Sequence, residues 1–219
     1  LKKTLESLTF EGIKRKVDIE TWNRKEHFQF FNKFEEPFHG ICVHVDVTNS
    51  YSNCKSEGIS FFLKYLHLSL QAVNQVEAFK YRIIENEVYI YDQIDASPTI
   101  ARENGSFGFS YIPYHAEFEL FQKQAKDEIK RVQSETGLNP AVSGENVIHY
   151  SALPWIDFTG LSHARSFTFQ DSCPKISFGK VTDNNGILKM PMSVHAHHGL
   201  VFGKDVADYI SLFQELLEQ

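Results

Sequence analysis

The sequence predicts an α/β two-layer sandwich, a mixed and largely antiparallel sheet covered by helices. Three observations lead there. Helical and strand-like patterns interleave along the chain, and one pair of strands flanks a tight hairpin turn. No Gly-x-Gly-x-x-Gly or phosphate-loop pattern marks a doubly wound nucleotide fold. A length of 219 residues, 42% hydrophobic with 19 phenylalanines, suits one sizeable core. No internal repeat or linker divides it.

Residues 1–16 are mixed and charged and read as a leader to a single domain over 17–219. Arg24 to Phe31 predicts a short helix with aromatic residues inward, stopped by Pro37. Residues 41–48 alternate as a strand does, and the polar run Asn49–Asn53 ends it. Ile59, Phe62, Leu66, Leu70 and Val73 recur at steps of three and four and predict a long helix over about 58–78. Two strands joined around Glu85-Asn86-Glu87 follow, then a strand pair or extended stretch over 97–112 and a helix over about 116–134, stopped at Thr136-Gly137. Residues 138–148 carry Pro140 and Gly144 and read as loop. Tyr150–Trp155 opens a strand that Pro154 should confine to an edge or bulge. The clearest local signal is Asp183-Asn184-Asn185-Gly186, a turn-forming run between strands at 175–181 and 187–194. Val206, Ile210, Phe213 and Leu217 then form one stripe of a last helix, about 204–217.

Composition narrows the function. A net charge of −6 and the lack of a basic tract beyond Lys14-Arg15-Lys16 argue against general nucleic-acid binding. Three cysteines, Cys42, Cys54 and Cys173, match no zinc motif or disulfide framework. No apolar run approaches the roughly 20 residues needed to span a bilayer, and no signal-like stretch opens the chain, so a cytoplasmic protein is expected.

Three of ten histidines fall in Ser193-Val194-His195-Ala196-His197-His198, where an expected strand meets a turn. Histidine exchanges protons or binds metal near neutral pH, and a strand end is well placed to face a cleft. His195 and His197 share a strand face, as a His-x-His metal pair would, but no carboxylate or cysteine lies at ligand spacing, so no metal is expected.

Four stretches carry a resemblance. Trp22-x-Arg24-Lys25-Glu26-His27-Phe28, Gln71-Ala72-Val73-Asn74-Gln75, Ser151-Ala152-Leu153-Pro154-Trp155 and Ser193–His198 with Gly203 occur in the order and at the spacings of the chloramphenicol acetyltransferase family, over about residues 17–217. The resemblance implies a homotrimer with active sites between subunits and acetyl-coenzyme A as co-substrate entering from the side opposite the acceptor. It also implies His198 as general base on the acceptor hydroxyl and Ser151 as the donor that steadies the oxyanion. The chemistry suits them: a neutral alcohol must lose its proton to attack a thioester, and the tetrahedral oxyanion must meet a hydrogen-bond donor. A non-catalytic, ligand-binding trimer on the same scaffold is the alternative, and a metal activity through His195, His197 and His198 is a third reading.

The sequence departs from the family in two places. The family's His-x-x-x-Asp-Gly run here ends Phe202-Gly203. The resemblance implies that the missing aspartate pairs with the arginine matched by Arg24 and braces the histidine turn. Arg24 should therefore have found another anion, Asp205 first, or have turned toward water. Positions that hold chloramphenicol in the resistance enzymes are matched by Phe31, His39, Ala101 and His163, a more polar and roomier set, with Ser177 where the family has a threonine. Chloramphenicol is accordingly expected to fit poorly. Lys180 and Trp155 fall on the donor side, Lys180 placed for a coenzyme A phosphate.

Overall fold

The computed structural model describes residues 12–138 and 144–219. Its elements are β1 (Lys14–Lys16), α1 (Lys25–Phe31), β2 (Phe38–Asp46), α2 (Thr48–Glu57), α3 (Phe61–Gln75), a 3₁₀ turn (Glu77–Lys80), β3 (Tyr81–Ile84), β4 (Glu87–Tyr91), β5 (Asp95–Ala101), β6 (Phe107–Phe109), α4 (Phe118–Ser134), β7 (Val147–Ala152), β8 (Lys175–Phe178), β9 (Thr182–Asn184), β10 (Ile187–His197) and α5 (Gly203–Leu217). The main sheet runs β2-β10-β8-β7-β5-β6, with β9 also paired to β10. β5, β7 and β8 are mutually parallel, and the other pairings are antiparallel. The sheet is thus mixed, as expected.

A smaller antiparallel sheet, β1-β4-β3, takes in part of the expected leader: Lys14–Lys16 pair along Tyr89–Tyr91. Residues 1–11 of that leader, and 139–143 of the expected loop, lie outside the described residues.

Alternation along the strands gives the main sheet two unlike faces. One carries Val45, Tyr150, Ile176, Phe178, Met192 and Val194 into the core. α3 and α5 lie on that face: Tyr65 and Phe213 meet Phe178, and Ser69 Oγ sits 2.9 Å from Tyr150 Oη and 2.7 Å from Tyr209 Oη. Ser60 caps α3, its Oγ accepting the Leu63 N–H. The opposite face carries Cys42, Ser193, Ser177 and Ser151 in one row and Gly40, His195, Lys175, His149 and Ser97 in the next. Residues 153–174, which hold neither helix nor strand, cross part of this polar face. Uninterrupted irregular chain of that length is uncommon and usually functional.

Three expectations need correction. The polar run Asn49–Asn53 does not merely end a strand. It lies inside α2, which has no apolar stripe, buries only Ser50 and Cys54, and ends at Gly58 with φ of +68°. β7 is interior, between β5 and β8, rather than an edge; Pro154 falls just beyond its end, so its missing N–H costs the ladder nothing. β10 reaches His197, because β2 pairs with it as far as Phe38. The turn preceding β10 is as expected, with Asn185 and Gly186 both at positive φ (55° and 86°), the pattern of a tight hairpin.

Candidate active site

His198 is the first residue beyond β10. Its backbone N–H donates to Pro37 O at 2.8 Å, which ties the turn to the start of β2. The imidazole lies between two rings: Phe31 of α1 stacks on it at 4.2 Å and 17°, and His39 of β2 lies at 4.3 Å and 30°. Nδ1 is buried without a partner, which leaves Nε2 as the accessible nitrogen of this half-buried ring. His39 is fixed in turn by Val201 O, 3.0 Å from its Nε2. Burial holds the His39 imidazole below its usual pKa, against the pull of that carbonyl, so it is the neutral ring that donates there.

Arg24 braces the same turn from below. Its Nη1 and Nη2 donate to the two Asp205 oxygens at 2.6 and 2.8 Å, and Nη1 also reaches Leu200 O at 3.1 Å. Phe202, at the position of the absent aspartate, lies under the guanidinium, 4.4 Å from ring centre to Cζ. Asp205 sits in the first turn of α5 and also accepts the Phe202 N–H at 2.6 Å. Asp205 thus supplies a carboxylate three residues beyond Phe202, on a helix start, where backbone N–H groups favour it.

Ser151 lies elsewhere. It stands on the polar face of β7, in register with Ser177 and through it with Ser193. It lines a cavity of about 360 Å³ with Thr99, His149, His163, Arg165 and Lys175. His163, on the 153–174 connection, meets His195 edge-on at 4.8 Å. Burial, helped by the neighbouring His195, pushes the His163 pKa down to about 4. Lys175 donates to Asp171 at 2.6 Å and to Cys173 O at 3.1 Å, and Arg165 pairs with Glu36.

Two strand spacings and five residues of rise separate Ser151 from His198, so their Cα atoms stand about 19 Å apart. A serine and a histidine serving one reacting centre need Cα atoms within roughly 13 Å of each other, given their reach and hydrogen-bond lengths. Within one chain the two do not meet.

A second cavity, of about 510 Å³, is lined by Tyr51, Phe61, Phe62, Tyr65, Ala152 and Lys180 among others, and reaches the residue after Ser151. Trp155 is 72% exposed and is not part of its wall. Of the residues expected around the acceptor, Phe31 and His39 gather at His198, whereas His163 and Ser177 gather near Ser151. Ala101 joins neither: it is exposed at the end of β5 opposite Phe107, and Thr99, two residues earlier on the same face, lines the cavity instead. Among the described residues, no three His, Cys, Asp or Glu side chains come together as a metal site.

The family model for chloramphenicol acetyltransferase matches residues 14–214. The chain belongs to the chloramphenicol acetyltransferase family. It is 29% identical to chloramphenicol acetyltransferase 3 of Escherichia coli, across 92% of this chain and 95% of that protein, and 24% identical to a chloramphenicol acetyltransferase of Proteus mirabilis, across 93% and 94%. A solved chloramphenicol acetyltransferase structure superposes with a TM-score of 0.86 at 30% identity, covering 94% of this chain and 100% of that one. The dihydrolipoamide acetyltransferase of Azotobacter vinelandii shares the fold at 14% identity and a TM-score of 0.63, covering 84% and 82%. The chain is therefore an acyltransferase of the chloramphenicol acetyltransferase family. Several residues of its Ser151 cavity escaped sequence reasoning: Thr99, His149, Arg165 and Lys175. The signal for Lys175 was present, two residues before Ser177 on the same strand face. Arg165 had none, because it lies on irregular chain.

Proposed function

We propose that the protein is an acetyl-coenzyme A-dependent O-acetyltransferase in which His198 is the general base and Ser151 the oxyanion donor. The observation that carries this is the clamped ring of His198, with Nε2 its one accessible nitrogen. In the reaction, His198 Nε2 takes the proton of an acceptor hydroxyl as its oxygen attacks the thioester carbonyl. Ser151 Oγ–H donates to the carbonyl oxygen as it becomes negative. Collapse expels the coenzyme A thiolate, which takes from His198 the proton that the acceptor hydroxyl gave up. Base help of this kind is worth about 10²–10⁴ in rate, and an oxyanion donor about 10²–10³.

The distance between the two residues supports a site completed by two copies of the chain, His198 from one and Ser151 from the next, in a homotrimer such as the family resemblance implies. The cavity beside Ala152 fits the donor: aromatic walls suit an apolar acyl-carrying arm, and Lys180 at its edge suits a phosphate. Three free cysteines, two of them buried, support a reducing, cytoplasmic setting. The non-catalytic alternative drew on the missing motif aspartate, and Asp205 supplies the carboxylate that Arg24 needs. The test follows thiol release from acetyl-coenzyme A with chloramphenicol and a panel of simpler alcohols. His198→Ala should lower acceptor-stimulated release by about 10²–10⁴. Equal rates in wild type and variant would remove His198 from the chemistry.

A further inference from the structure

α2 is held less firmly than the helices around it. It has no apolar stripe and buries only Ser50 and Cys54. Its first turn is stapled down: Asp46 accepts the Thr48 N–H and Oγ1–H, Thr48 Oγ1 accepts the Leu188 N–H, and Asn49 Nδ2 donates to Glu218 O. Beyond Asn49 the staples stop. Among the described residues, no hydrogen bond or ion pair joins residues 50–57 to another helix or strand.

Two cavities border the helix. The donor cavity, about 510 Å³, has Tyr51 in its wall beside Phe61, the two rings 5.0 Å apart. The other, about 190 Å³, is lined by Ser50, Asn53, Cys54 and Glu57 of α2 and by Lys64 and Leu68 of α3. The two side chains that α2 buries thus face a cavity, and groups beside a void forgo the contacts that packing would give them. Ser50 Oγ has no hydrogen-bond partner there. The far end is free to turn as well. Gly58 stands at φ of +68° with open space around it, a conformation that costs glycine little. α3 then starts on its own cap, Ser60, and does not lean on α2. Few buried contacts and no bonds to neighbours put a segment at the low-stability end of a fold, from which lids are drawn.

We propose that α2 is the lid of the donor cavity, swinging on Thr48 and Gly58 to admit acetyl-coenzyme A and closing on it through Tyr51. The proposal rests on the placing of the donor in that cavity. Closure sets the Tyr51 ring against the bound molecule and keeps water from its thioester.

The protein carries its own reporter. Cys54 is 3% exposed and lines the cavity under α2 but not the donor cavity, so its accessibility follows the helix rather than contact with the donor. Cys173, 4% exposed and bonded to Glu145 O, is the control. Wild type is alkylated with iodoacetamide with and without saturating acetyl-coenzyme A, each cysteine is followed by peptide mass spectrometry, and calorimetry reports binding. The donor should slow Cys54 about 10-fold or more and leave Cys173 within about 2-fold. Tyr51→Ala should bind the donor more weakly and, at saturation, cut the protection of Cys54 below about 3-fold. Equal protection of both cysteines would mark release by global unfolding and overturn the lid. So would an unprotected Cys54 with donor bound, or full protection in Tyr51→Ala. Each of these leaves the acetyltransferase reading standing. No binding of acetyl-coenzyme A overturns both.

Discussion

Replacing Asp205 by alanine takes from Arg24 both carboxylate oxygens and from the Phe202 N–H its acceptor. The guanidinium keeps only Leu200 O and the face of Phe202. Removing one partner of a buried ion pair costs roughly 3–5 kcal/mol, and because these side chains keep 17% and 15% of their exposure we expect about 2–3 kcal/mol. In a chain of this size that lowers Tm by roughly 5–10 °C, read at fixed protein concentration because assembly contributes to stability. The turn also carries His198, and a misplacement of about 1 Å can cost about 10² in kcat, so activity should fall with stability. Adding Phe202→Asp to the variant puts a carboxylate where the ring now meets Arg24, and should recover about half of the lost Tm. The acid limb carries an independent sign. Burial pushes the Asp205 carboxyl up, but the Arg24 bonds and the Phe202 N–H outweigh it and hold the pKa below the ordinary 3.8. A depressed carboxyl contributes stability above its unfolded pKa and loses it as pH falls through the folded one, so wild type should shed this part below about pH 4 and Asp205→Asn should not. A Tm loss in Asp205→Ala under about 1 °C, or no recovery on adding Phe202→Asp, would refute the brace.

Two further substitutions separate neighbouring roles. Gly40→Ala forces a Cβ to within 2.4 Å of the His195 ring, and should destabilise by about 1–3 kcal/mol in urea unfolding while leaving donor KM unchanged. His39→Phe keeps a ring against His198 but loses the bond to Val201 O, so kcat should fall by about 3–10-fold with acceptor KM unchanged. A change confined to KM would make His39 a wall of the acceptor pocket instead.

Much of this fold is legible in the sequence because its main helices face a single core. The steps of three and four in α3 and α5 and the Asn185-Gly186 turn each point to one local structure. α2 is not legible, since Thr48–Glu57 offers only Tyr51 and Cys54 as apolar residues and owes its helix to Asp46, which accepts the Thr48 N–H and Oγ1–H, and to Gly58. The residues around His198 are close in sequence to strand ends and could be anticipated. His163 and Arg165 reach the polar face only through irregular chain, where no periodicity reports which side chains turn inward. Phe202 looked like a loss in the sequence. Asp205, three residues on, is nonetheless the first anion the sequence offers Arg24, and the position of the α5 N-terminus brings the two together.

Whether His198 of one copy works with Ser151 of another can be read by mixing two inactive proteins. His198→Ala and Ser151→Ala are co-expressed with different tags, and the doubly tagged assemblies are purified and assayed for acceptor-stimulated thiol release. Every mixed trimer joins one complete pair among its three sites, so about a third of wild-type activity should return. Activity no greater than that of the two variants assayed separately would contradict the shared site.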